Sequence, residues 1–124
     1  MQDSDLDEVN ACLARFQVTM YRGSDRRYRI WGDINRIQDI VDSPCVERFP
    51  GGALDDLNWF FTHEVDARVA TNLERCGVHV DYEPGDSIGL SFNGDGPTDE
   101  QMAEATRATY DWYRLPPARR GTRI

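Results

Sequence analysis

The dipeptide His63-Glu64 is the first place to look for chemistry, because a histidine followed by a glutamate on a helix is how many zinc hydrolases begin their metal site. That site needs HExxH, so that two imidazoles one turn apart share a face. Position 67 is alanine, and the second ligand is missing. The other histidine, His79, falls on the polar side of a strand pattern. A nucleophile–base pair would draw on Cys45, in a Pro/Gly-rich stretch, together with His63 or His79, but no spacing joins them. Asp95, Asp99 and Glu100 sit near glycines without the alternating acids and closing glutamate of a calcium loop. Gly51-Gly52 lacks the lysine and Ser/Thr of a phosphate loop, and Gly94 and Gly96 do not complete GxGxxG. The chain therefore reads as a non-enzyme, with no catalytic residue, metal or cofactor predicted.

The alternative is a small enzyme or ligand-binding domain whose pocket, between sheet and helices, uses Cys45, His63 or His79.

Charge says more than motif. The 124 residues carry 22 acids and 14 basic residues, a net of −8, and every basic residue is arginine. Four arginines, Arg114, Arg119, Arg120 and Arg123, follow the last acid, Asp111, leaving ten Arg against 22 acids over 1–113, a net of −12. Such a body repels nucleic acid and anionic membrane and favours a basic protein partner. No apolar run approaches the ~18 residues of a membrane span, and the acidic start MQDSDLDE does not resemble a signal peptide. Three cysteines without a CxxC pair argue against a disulfide framework, and the cytoplasm is the expected compartment.

These residues need elements to hold them. Residues 53–76 are expected to form a long central helix. Leu54, Leu57, Phe61, Val65, Val69, Leu73 and Cys76 make its apolar stripe, Trp59 and Phe60 widen it, and Gly77 with Val78 ends it. Ser4 is read as the cap of a first helix bearing Leu6, Val9, Leu13 and Phe16. Val18 and Met20 alternate with Thr19 and Tyr21, Gly23-Ser24-Asp25 turns, and Arg27 to Trp31 returns. Asp33 is expected to cap a short helix ending at Ser43-Pro44, and 44–52 forms the longest connection. A second hairpin is expected over 78–92, turning at Pro84-Gly85-Asp86. Thr98 to Gln101 reads as a capping box opening a helix with Met102, Ala105, Thr109 and Trp112 inward. The halves match weakly at an offset of sixty, Val9, Leu13, Arg15 and Val18 falling on Val69, Leu73, Arg75 and Val78, which suggests an internal duplication.

The order α-ββ-α-α-ββ-α predicts a two-layer α+β domain over 1–113, a mostly antiparallel sheet of two hairpins covered by helices, followed by an Arg/Pro-rich tail, 114–124. The outer face of such a sheet collects Thr19, Tyr21, Arg27, Arg29 and Trp31 from one hairpin and His79, Asp81, Glu83, Ser87, Gly89, Ser91 and Asn93 from the other. Arg27 and Arg29 are placed to pair with Asp81 and Glu83 across it. The expected function is that of an acidic binding protein inhibiting or neutralising a basic, nucleic-acid-binding protein, as an anti-defence inhibitor or toxin immunity protein does. Asp81, Glu83, Asp86, Asp95, Tyr21 and Trp31 are the expected partner-binding residues. Trp59, Phe60 and Phe61 are the residues expected to bury themselves in a homodimer.

Overall fold

A computed structural model describes residues 4–81, 91–92 and 96–119, and the chain is α+β. Its elements are α1 (Ser4–Leu13), β1 (Val18–Arg22), β2 (Tyr28–Gly32), α2 (Ile37–Val41), α3 (Ala53–Trp59), a π-helical segment (Phe60–Val65), α4 (Asp66–Arg75), β3 (Val80–Asp81), β4 (Ser91–Phe92) and α5 (Asp99–Arg114). Short 3-10 turns occupy Ala14–Phe16, Ile34–Arg36, Pro44–Arg48 and Pro117–Arg119. Two compact units divide the chain: Met1–Leu57 with Trp112–Ile124, and Asn58–Asp111. Both hairpins are antiparallel, and among the described residues they form separate two-stranded sheets in place of one continuous sheet. The turn expected at 84–86 lies outside the described residues.

In the first unit the period-two pattern does what it implies. Val18, Met20 and Ile30 are buried, while Thr19 faces Trp31 and Tyr21 faces Arg29 across the pair. The outward backbone groups of Met20 are taken by one side chain. The Asn10 amide accepts from the Met20 N–H (2.7 Å) and donates to its carbonyl (3.0 Å), as a neighbouring strand would. On the other strand the Tyr28 N–H donates to the Asp56 carboxylate at 3.0 Å. Gly32 closes the hairpin at φ +113, and a Cβ there would collide with the Gln17 carbonyl oxygen. Gly32→Ala is therefore expected to cost about 2–3 kcal/mol, from a backbone conformation L-residues avoid plus a contact with main chain that cannot swing away. Chemical denaturation checks it; a loss under about 0.5 kcal/mol would show that the strand end shifts freely.

Cys12 and Cys45 are joined in a disulfide, with Cα atoms 5.7 Å apart, tying the end of α1 to the Pro44–Arg48 turn. This corrects the reading of the cysteines. An odd count excludes complete pairing, not one bond, and the spacing of 33 residues gives no local sign of it. The case for a reducing compartment built on that count falls with it. No helix among the described residues is long and apolar enough to cross a membrane.

The long helix departs from its expected phase. The buried positions run Leu57, Phe60, Val65, Ala70 and Leu73, while Leu54 is 48% exposed and Phe61 and Val69 are only half-buried. The five-residue step from Phe60 to Val65 spans the π segment, whose i→i+5 winding fits five residues where an α-helix fits three or four. Beyond it α4 ends as expected. Gly77 at φ +91 lets its N–H reach the Glu74 carbonyl and lets the Val78 N–H reach that of Leu73, with Val78 buried against the same cluster as Leu73. The capping box at α5 is complete, Thr98 N–H to Gln101 Oε1 at 2.8 Å and Gln101 N–H to Thr98 Oγ1 at 3.1 Å. Thr109 and Ala105 are fully buried. Thr109 accepts from the buried Asn72 amide at 3.0 Å and donates to the Ala105 carbonyl, so this polar pair is satisfied inside the core.

Candidate functional site

The hairpin of the first unit presents Thr19, Tyr21, Arg29 and Trp31 on its outer side, Tyr21 and Trp31 half-buried. Arg29 pairs within its own hairpin. Its guanidinium grips Asp25 in its own turn through two parallel bonds of 2.6 and 2.9 Å, and Arg27 joins the same carboxylate at 3.2 Å. Asp25 is only four residues away, so this pairing needs no other element to be placed. The Arg29 hydrogen bonds, then the Arg27 N–H, hold the Asp25 carboxyl well below its ordinary value of 3.8. A depressed carboxylate stabilises the fold above its unfolded pKa, and that contribution drains away as pH falls through the lower folded value. Asp25→Asn is thus expected to lower the thermal midpoint at neutral pH, the gap to wild type closing below about pH 4. A gap that stays constant down to the acid limit would break the assignment.

The residues expected in a Cys/His pocket are placed as follows. Cys45 is fully buried and spent in the disulfide, so it is no nucleophile. His79 is exposed and paired with Asp81, Nε2 to Oδ1 at 3.2 Å. No group of three or more His, Cys, Asp or Glu among the described residues could hold a metal ion. The free thiol is Cys76, half-buried, its sulfur 4.0 Å from the Glu104 carboxylate beside a shallow groove between α4 and α5. Nor does Asp33 cap a helix with its side chain; it accepts from Arg114 Nε at 3.1 Å, so the first residue of the expected tail is helical and anchored.

Of the expected partner-binding residues, Tyr21 and Trp31 belong to the first unit and Asp81 to the second, while Glu83, Asp86 and Asp95 lie outside the described residues. Of the aromatic run Trp59 to Phe61, only Phe60 is fully enclosed in the chain. Phe60 is fully buried with Phe61 edge-on against it at 5.2 Å, and Trp59 stacks on His63 at 4.7 Å with 14° between the planes. That stack is the feature sequence reasoning missed. Its signal was the four-residue spacing of Trp59 and His63 beside the five-residue step of the buried row. An α-helix turns positions four apart out of line by about 40°. The wider π winding brings them closer to vertical register, where flat rings can overlap. His63 Nδ1 lies 3.1 Å from the Trp59 carbonyl and 3.0 Å from Thr62 Oγ1. One turn on, burial pushes the Asp66 carboxyl up, and that carboxylate has no hydrogen-bond or ion-pair partner among the described residues.

The charge divides sharply between the units. The first holds eleven acids and eleven arginines, several paired locally, as in Arg48–Glu8, Arg36–Asp39 and Arg114–Asp33. The second, Asn58–Asp111, holds eleven acids against Arg68, Arg75 and Arg107, so the whole net −8 resides there. No family model, curated protein or solved structure matches the chain.

Proposed function

We propose that the chain is a non-enzymatic acidic binding protein that occupies a basic surface on another protein, as an inhibitor or neutralising partner of a nucleic-acid-binding protein does. The observation that carries this reading is the segregation of charge. Three arginines cannot neutralise eleven carboxylates, so Asn58–Asp111 keeps its negative field however its side chains pair, while the rest of the chain balances to zero. A field of one sign on a small body steers oppositely charged partners and repels phosphates and anionic lipid. Against the enzymatic alternative, Cys45 is held in the disulfide, His63 lies against the Trp59 carbonyl and His79 pairs with Asp81.

The test is inhibition of basic nucleases by the purified protein, with cleavage and complex formation followed at low and at high ionic strength. Inhibition at low salt that relaxes as salt rises is expected. A panel of basic nucleases left fully active, or binding indifferent to salt, would end this reading.

A further inference from the structure

We infer that the groove beside Leu54 seats an apolar side chain that a basic partner carries next to its positive charge. The inference rests on the basic-partner reading and adds the apolar half of that contact. Leu54 falls on the helical stripe by spacing, yet it is 48% exposed. It forms one wall of a groove whose other sides are Val46, Phe49, Pro50, Gly52 and Asp55, all within the first unit. The groove holds about 190 Å³. Pockets for drug-sized molecules run to roughly 300–1,000 Å³, so this one has the size of a seat for a single anchoring side chain.

Both walls are fixed before anything docks. Cys45, next to Val46, is held by the disulfide, and its N–H donates to Ser43 Oγ at 3.2 Å. Ala53, next to Leu54, is fully buried, and its N–H donates to the Pro50 carbonyl at 3.0 Å. Walls already in place lose less entropy when a partner binds. A Cβ on Gly51 or Gly52 would meet nothing within 4 Å, so the rim there is bare. Charge selects what enters. Residues 42–56 hold Asp42, Glu47, Asp55 and Asp56 against Arg48 alone, and Arg48 is paired with Glu8 at 2.9 Å. Asp55, on the groove itself, has no hydrogen-bond or ion-pair partner among the described residues. An apolar anchor flanked by arginine or lysine fills the groove and meets the carboxylate together, whereas an acidic segment would be repelled from it.

Two labelled peptides, one with arginines flanking a central leucine and one with the same arginines flanking a central serine, separate anchor from charge when titrated by fluorescence anisotropy at fixed ionic strength. The leucine peptide is expected to bind on the order of tenfold more tightly. It should also shift the methyl NMR signals of Val46 and Leu54, which the serine peptide leaves in place. Leu54→Ser should bring the two peptides close to parity. Because Leu54 is largely outside the core, the thermal midpoint of that variant should stay near wild type, which separates loss of the groove from loss of the fold. Asp55→Asn should weaken the leucine peptide by about threefold, and an unchanged affinity would overturn the choice of a basic partner. Equal, salt-sensitive binding of both peptides to wild type would overturn the groove and leave the acidic reading standing. A leucine preference retained in full by Leu54→Ser would overturn it as well. A wild-type dimer that Leu54→Ser dissolves would assign the groove to a second copy of the chain and overturn the proposal. Binding of neither peptide at low salt would remove both readings.

Discussion

Phe60→Ala is expected to destabilise the fold by about 3–5 kcal/mol, a large share of the roughly 5–15 kcal/mol that holds a domain together. Phe60 is completely buried at the start of the π segment, and no other side chain of its size among the described residues is as fully enclosed. Truncation removes most of a ring's transfer energy and leaves a hole that the surrounding wall, including the edge of Phe61, can only partly fill. The informative comparison is with Phe61→Ala. In a plain α-helix positions 60 and 61 would flank the direction of Leu57 by about 60° and about 40°, and the two costs would be comparable. Denaturant unfolding of both variants decides it: Phe60→Ala should lose at least twice as much as Phe61→Ala, and equal or inverted losses would refute the π phase.

Breaking the disulfide is the second large effect. The bond closes a loop with a sequence separation of 33 residues, and the entropy it withholds from the unfolded chain corresponds to about 3–4 kcal/mol. The paired variant Cys12→Ser with Cys45→Ser should lose that amount, and wild type under reductant should lose a similar amount. Thiol titration of the native, non-reduced protein should find Cys76 alone reactive. Titration of three thiols before any reductant is added, or a paired variant as stable as wild type, would contradict the assignment.

Local rules were legible wherever the cause was local. Alternation at Val18, Met20 and Ile30, the stop at Gly77 and the reciprocal bonds of Thr98 and Gln101 each depend on residues within a few positions of one another, and each appears as read. Features settled by distant parts of the chain were not. The disulfide needs α1 folded against the turn at 44–48, and no periodicity encodes that meeting. The π winding changes the phase of the apolar row in mid-helix, so a stripe counted at constant period centres on Phe61 with Phe60 at its edge, where the fold buries Phe60 fully and Phe61 by half. The candidate site suffered twice. Its acidity was visible as a total, but its confinement to Asn58–Asp111 needed the division into units. Its aromatic element depended on the helix being wound in an unusual way.

The side-chain amide of Asn10 and the carboxylate of Asp56 have an effect beyond the hairpin they complete. Main-chain groups that would otherwise template a further strand are already spoken for, at the middle of β1 and the start of β2. Extension into a larger sheet, and with it fibril growth or capture of an extended peptide, is obstructed there. At those two points a partner must recognise the hairpin by its side chains.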